Sequence, residues 1–319
     1  MELFLGSVEE KKHEGVEKYD VIIVGAGPAG LTAGIYAKRS GLTAVILDKK
    51  PAGGLASEAP LVENYPGFKS IPGGELAKLI EEHAREYVEI REMEGVRDLK
   101  IEDGAFRVTT EKGEYEGKGV VLATGTTHRV LGIKGEKEFY GRGLSYCVTC
   151  DGYLFKGGKV AVIGGGNSGA VAALFLKSIG AEPLVIEFMD RYMCEDAYVR
   201  KLEEEGIPYL MNRETTEIFG DDKVKGIRVK KRDGSGEETY EVDGVFIYVG
   251  LVPQSELARN IGVELTEKGY VKTDAFQRTN VERFYAAGDI TGGVAQIVVA
   301  AAQGAIAALS AYEDIKLKG

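Results

Sequence analysis

The sequence predicts an α/β fold made of two parallel βαβ units, one of them interrupted to receive the other. Three observations predict it. A β-branched run, a glycine turn and an alanine-rich segment follow one another at residues 19–48 and again at 159–187. In each copy an acid closes the second apolar run, and Asp48 follows Gly25 at the same interval as Glu187 follows Gly164. Glycine makes up 44 of 319 residues, about twice the usual share, with no low-complexity run, which calls for tight turns and close backbone approaches.

The elements follow in order. Residues 1–18 read as a polar extension. The runs Val21–Val24 and Val160–Ile163 are short, apolar and bounded by glycine, as parallel strands buried on both faces are. The segments Ala29–Arg39 and Asn167–Ile179 hold good helix formers and no internal proline. Strand, turn, helix and strand make a right-handed crossover unit and hence a parallel sheet. Residues 98–125 alternate as antiparallel strands with turns at Asp103-Gly104 and Lys112-Gly113. Residues 224–250 do the same around Asp233-Gly234, so the repeat includes its hairpins. Residues 19–126 and 251–319 are therefore expected to form one discontinuous domain, with 127–250 inserted. The apolar stretch Val294 to Tyr312 is alanine-rich and broken by Gln296 and Gln303, which reads as a buried helix rather than a membrane span.

A net charge of −10 repels phosphate backbones and argues against a nucleic-acid partner. The N-terminus lacks the apolar core and cleavage site of a secretory signal. A soluble, cytoplasmic protein without a membrane partner is expected. The cysteines are Cys147, Cys150 and Cys194. So few, and an odd number, argue against a structural disulfide framework but leave room for one functional pair.

The chemistry starts at the glycine loops. In Gly25-Ala26-Gly27-Pro28-Ala29-Gly30, the first glycine permits the turn, Gly27 lets the backbone approach a pyrophosphate, and Gly30 lets the helix pack on the strand. The helix N-terminus offers N–H groups and partial positive charge to phosphates. Asp48 is placed to accept from a ribose diol. The second loop, Gly164-Gly165-Gly166-Asn167-Ser168-Gly169, meets the same conditions, with Glu187 as its acid. Two such loops imply two cofactors, or one cofactor and one vestigial site; FAD with a nicotinamide is the usual combination.

In Cys147-Val148-Thr149-Cys150-Asp151-Gly152 the spacing lets two sulfurs close a small ring and stabilises one thiolate. Such a pair exchanges with another disulfide, and Asp151 is placed for proton transfer. Zinc needs four ligands. No second such pair exists, and His13, His83 and His128 have no metal-like spacing, so no metal is expected. Cys194 reads as structural.

These residues resemble the low-molecular-weight thioredoxin reductases, flavoproteins of the pyridine nucleotide-disulfide oxidoreductase family. The resemblance runs from about Tyr19 to Tyr312 through GAGPAG at 25–30, GG at 53–54, ENYPG at 63–67, ATG at 123–125, CVTCDG at 147–152, GGGNSG at 164–169 and AAGD at 286–289. It implies two Rossmann-like domains, the discontinuous one for FAD and the inserted one of nicotinamide type. FAD would be held by Gly25, Gly27, Pro28, Ala29 and Gly30, by Asp48 and Lys49, by Gly53, Gly54 and Leu55, by Asn64 and Val96, by Ala123, Thr124 and Gly125, and by Gly288, Asp289, Gln296 and Ile297. A nicotinamide cofactor would use Gly164, Gly166, Asn167, Ser168, Gly169 and Glu187. Cys150 would face the flavin, Cys147 would attack the partner disulfide, and Asp151 would act as acid and base. The inserted domain would rotate about hinges near Gly125–Thr127 and Gly250. Relatives are homodimers.

Departures from the pattern carry information. NADPH-dependent members place a basic cluster after the second strand of the inserted domain. Here the stretch reads Glu187-Phe188-Met189-Asp190-Arg191-Tyr192-Met193. Glu187 would repel a 2′-phosphate and bind a 2′-hydroxyl, so NADH is expected before NADPH; a degenerate nicotinamide site is the alternative. As a bland reading, Glu187 is a solvated strand end. Leu55 replaces a usual Gln, and Ala295 a usual Arg. The expected function is electron transfer from a reduced donor through FAD and the Cys147–Cys150 dithiol to a thioredoxin-like protein disulfide. The rival is the flavoprotein component of a hydroperoxide reductase, with a glutaredoxin- or peroxiredoxin-like acceptor. A flavin-dependent ferredoxin reductase lacks the cysteine pair, and a flavin-binding sensor would not turn over.

Overall fold

The computed structural model describes residues 15–318. Most of the N-terminal extension, including His13, lies outside the described residues. The first strand, Val16–Val24, starts inside what the sequence reads as extension. Val16, Glu17 and Lys18 pair in parallel with Glu114, Tyr115 and Glu116, so main-chain hydrogen bonds recruit these residues where side-chain hydropathy gives no signal.

This strand organises a seven-stranded sheet. Ala44–Leu47 and then Glu89–Arg91 lie on one side of it. On the other lie Glu114–Leu122, Ala105–Thr110 and Val96–Glu102. The strand Glu114–Leu122 changes partners along its length. Its first half pairs antiparallel with Ala105–Thr110, and its last residues pair in parallel with Phe284–Ala286. Val21 to Val24 are buried because both faces are covered. Val21 and Ile23 pack into a core with helices Pro28–Arg39 and Ile297–Tyr312. Ile22 and Val24 pack with Leu99, Phe106, Tyr115 and Val263.

The inserted stretch repeats the plan. Five parallel strands run in the order Tyr209–Leu210, Glu182–Ile186, Lys159–Ile163, Gly244–Ile247 and Leu144–Ser145. Val160 and Val162 face helix Asn167–Ser178. Ala161 and Ile163 face the antiparallel sheet of Arg213–Gly220, Val224–Lys231 and Glu237–Glu241. The chain crosses between the two bodies twice. These crossings, Thr126–His128 and Leu251–Pro253, pair as an antiparallel ribbon, at the positions where the hinges are expected.

The late apolar stretch becomes helix Ile297–Tyr312, with Gln296 as its N-cap. The expectation of a buried helix needs correcting. Val294 lies outside it and is 67% exposed, and Leu309 is 47% exposed. Alanines and Gly304 form the packed stripe. A Cβ on Gly304 would stand 2.0 Å from the Ala29 carbonyl oxygen, so Gly304 is what lets this helix cross Pro28–Arg39 so closely. Among the described residues no helix is long and apolar enough to cross a membrane.

Gly304→Ala is expected to destabilise the protein by about 1–3 kcal/mol, read as a lower urea midpoint with an unchanged slope.

Candidate active site

The first glycine loop leaves strand Val16–Val24 and opens helix Pro28–Arg39, whose N-cap Gly27 carries no side-chain hydrogen bond. Gly30 fits only without a side chain, because a Cβ there would stand 1.8 Å from the Gly25 carbonyl oxygen. Gly27 faces open space, and a Cβ there would meet nothing nearer than Gly54 Cα at 3.9 Å. The Gly53 N–H donates to the Ala26 carbonyl at 2.8 Å. The two glycine stretches therefore form a side-chain-free cradle at a helix N-terminus, which suits an anionic pyrophosphate. Asp48 braces the loop, accepting from the Ala26 N–H at 2.6 Å and the Lys50 N–H at 2.8 Å. Two N–H donors leave carboxylate lone pairs for ribose hydroxyls.

Distant residues converge around this cradle. Asn64 Nδ2 donates to Gln296 Oε1 at 2.9 Å, joining residues on opposite ends of the discontinuous part. The Gly288 N–H donates to Gln303 Oε1 at 2.8 Å, and a Cβ on Gly288 would stand 2.9 Å from Ala29 Cβ. Ala123 packs under Gly25. Gln254 ties three segments together: its Nε2 donates to the Thr124 carbonyl at 2.7 Å, its carbonyl accepts from Thr124 Oγ1 at 2.9 Å, and its Oε1 accepts from Lys49 Nζ at 2.6 Å. Sequence reasoning misses Gln254 and Gln303, which lie in no motif. Gly125 precedes the crossing strand, and Val96 and Leu55 are half-buried at the edge of the group. Asp289 lines a cavity of about 580 Å³ between the ribbon and residues 266–270 and 291–295. Burial pushes its carboxyl pKa up, and among the described residues its carboxylate has no hydrogen-bond partner.

Cys147 and Cys150 are joined as a disulfide around the short helix Val148–Asp151. Cys147 caps that helix, and its Sγ accepts from the Cys150 N–H at 3.2 Å. In the reduced state the same N–H favours the thiolate on Cys147, the thiol expected to attack. Cys150 is exposed and Cys147 half-buried. The helix sits against Gly54–Glu58, because Thr149 Oγ1 donates to the Glu58 carbonyl at 2.5 Å. Asp151 is half-buried, and its carboxylate has no partner among the described residues. Cys194 is free and half-buried, with its pKa pushed up by burial, as an inert thiol would be.

The second loop copies the first at its acid. Glu187 accepts from the Gly165 N–H at 2.7 Å and the Met189 N–H at 2.8 Å. At 6% exposure it is not a solvated strand end; the two backbone donors hold the carboxylate inside. Gly164 and Gly169 pack as Gly25 and Gly30 do, Gly166 faces open space, and Ser168 is exposed. One feature has no counterpart in the first loop. Asn167 is clasped by Glu195, with Nδ2 to Oε1 at 2.8 Å and the Glu195 N–H to Oδ1 at 2.9 Å. This brings a carboxylate to the helix start. Arg232, folded back by the hairpin, lies 3.9 Å over the Phe188 ring and donates to the Phe188 carbonyl at 3.2 Å. Among the described residues no group of His, Cys, Asp and Glu is placed to hold a metal.

The sequence profile of the pyridine nucleotide-disulphide oxidoreductases matches residues 19–304. A thioredoxin reductase of Bacillus subtilis is 36% identical over 307 residues, spanning 93% of this chain and 95% of the relative. An alkyl hydroperoxide reductase protein of Pseudomonas putida is 36% identical over 317 residues, which are 97% of this chain but 61% of that protein. The crystal structure of T. acidophilum thioredoxin reductase superposes with a TM-score of 0.91 at 53% identity, covering 93% of this chain and 99% of that one.

The raised pKa of Asp289 means that the folded protein holds this proton more tightly than the unfolded chain does. The resulting penalty is absent below the ordinary aspartate value of about 3.9, grows as pH rises through it, and is complete above the raised folded value. Asp289→Asn is therefore expected to raise the melting temperature of cofactor-stripped protein at neutral pH and to leave it unchanged below the ordinary carboxylate range. Equal melting temperatures at neutral pH would show that Asp289 bears no such penalty.

Proposed function

The chain belongs to the pyridine nucleotide-disulphide oxidoreductase family and is a flavin-dependent disulfide oxidoreductase; on that basis we propose that it passes electrons through FAD and the Cys147–Cys150 pair to a thioredoxin-like protein disulfide. One observation carries the reading: the redox helix is hydrogen-bonded to the segment Gly54–Glu58, which continues from the cradle facing Gly27. The residues around that cradle fit FAD. Gly25, Gly27, Gly30, Gly53 and Gly54 leave room for the pyrophosphate, and Asp48 and Lys49 would serve the adenosine end. Asn64, Thr124, Gln296 and Asp289 would hold the flavin half. The unpartnered Asp289 carboxylate supports this reading, since a half-buried acceptor without a donor, lining a cavity, suits a polyhydroxyl chain.

FAD, once bound and reduced by the electron donor, would supply the electron pair that a disulfide needs to open. The chain's own groups then determine the direction of exchange. Opening the Cys147–Cys150 bond takes two electrons and two protons, and Asp151 is near enough in sequence to hold one of the protons. The Cys147 thiolate, favoured by the Cys150 N–H, attacks a sulfur of the acceptor and forms a mixed disulfide. Cys150 attacks Cys147 Sγ, re-forming the internal disulfide and releasing the acceptor as a dithiol. In the present pose Cys147 is the less exposed sulfur, so attack on another protein requires the inserted part to turn. The thioredoxin-type acceptor is preferred to a hydroperoxide-reductase role because the match extends over 95% of the Bacillus subtilis thioredoxin reductase but over 61% of the Pseudomonas putida protein. A cytoplasmic homodimer belongs to the same reading.

For the donor, Glu187 supports NADH over NADPH, because a buried carboxylate accepts from a 2′-hydroxyl and repels a 2′-phosphate. Glu195 favours a second reading. Its carboxylate at the start of helix Asn167–Ser178 opposes a pyrophosphate, which suits a vestigial nicotinamide site and a different donor.

Cys150→Ser is expected to abolish reduction of a thioredoxin disulfide while FAD stays bound in full; retained turnover would remove the dithiol from the route. In stopped-flow mixing, NADH is expected to bleach the flavin at least ten-fold faster than NADPH. Bleaching by neither establishes the vestigial reading. Faster bleaching by NADPH contradicts the role given to Glu187.

A further inference from the structure

The redox helix is gripped from two sides. From the inserted part, the Tyr248 hydroxyl accepts from the Val148 N–H at 3.1 Å. From the discontinuous part, the Glu58 carbonyl accepts from Thr149 Oγ1. Glu58 makes a second contact with its side chain. Its Oε2 lies 2.9 Å from His128 Nε2, and His128 belongs to the crossing ribbon. The inserted part fixes the other faces of this imidazole, with the Tyr146 ring stacked at 5.9 Å and the Tyr248 ring edge-on at 6.1 Å. The His128 and Glu58 side chains are 22% and 29% exposed. The ion pair Lys201–Glu63 spans the same two bodies at 3.0 Å, but it stands in water, where such pairs contribute little.

We propose that Glu58 is a positioning residue, a latch that holds the redox helix with its backbone and the crossing ribbon with its side chain, so that release of both contacts frees the dithiol to meet its acceptor. The latch presupposes the turning of the inserted part that the proposed function requires. Its physical basis is economy of contact. The Val148–Tyr248 bond travels with the inserted part, so turning that part breaks only the contacts made to the other body. Two of these, on one residue, restrain both the moving helix and its pivot.

The test uses the full-length, FAD-loaded protein with its thiols reduced by dithiothreitol. Alkylation of Cys147 by a bulky maleimide and amide exchange at 148–151 are followed by mass spectrometry. Thr149→Val removes the helix arm and Glu58→Ala the ribbon arm, while Thr149→Ser keeps the hydroxyl. Thr149→Val and Glu58→Ala are each expected to speed both readouts about five-fold, and the double variant to exceed either single variant. Faster exchange should be confined to 126–128, 148–151 and 251–253. Thr149→Ser should match the unsubstituted protein. Unchanged rates in both single variants overturn the latch. So does a Thr149→Ser variant that behaves like Thr149→Val, or exchange that rises throughout the seven-stranded sheet. Neither readout requires turnover. Activity surviving in Cys150→Ser would thus defeat the functional reading alone, and unchanged alkylation would defeat the latch alone.

Discussion

Strand Val16–Val24 is buried on both faces along its apolar half, and the molecule is arranged around satisfying that strand. Alternate side chains enter two separate cores, while the backbone is paired on both edges by parallel neighbours. A parallel strand so enclosed can leave the sheet only through a turn at its end. That turn is the Gly25–Gly30 loop, where Gly25 and Gly30 leave no room for a side chain and Gly27 faces open space. Glycine is required at Gly30 and Gly304 so that backbones can approach, whereas Gly27 is not constrained by packing.

The inserted part obeys the same constraint with different content. Asp48 and Glu187 each hold two backbone N–H groups of their own loop, so the acid after the second strand is a brace. This limits what exchange of the acid can reveal. Converting Glu187 to a basic residue would remove the brace as well as the charge, whereas Met189 is half-buried beside it and can be changed without disturbing the loop. The loops differ where Pro28 opens one helix and Asn167, held by Glu195, opens the other. The second helix start thus carries a carboxylate that the first lacks.

The arrangement of the thiols follows from the two crossings of the chain. A ribbon of short strands joins the bodies, and the redox helix lies where both bodies can hold it. A disulfide that must serve a cofactor in the fold and a protein outside it cannot be bound permanently to either. Few and specific contacts between the bodies are what such a division of labour requires.

The order of the residues was enough to reveal the repeat, the strands and helices of both modules, the glycine loops and the cysteine pair, because each is a local pattern: a period, a turn residue or a short spacing. It placed the hairpin turns for the same reason, but it began the last helix at Val294, which lies outside Ile297–Tyr312. It mistook Val16–Lys18 for extension, since their structure comes from pairing with Glu114–Glu116, and it left Glu187 open to being a residue that water could reach. Gln254, Gln303, Glu58 and Arg232 carried no signal, because each acts on a residue far along the chain through one hydrogen bond or ring contact. Folding alone brings such pairs together, and single contacts of about 1 kcal/mol leave no periodic trace along the chain.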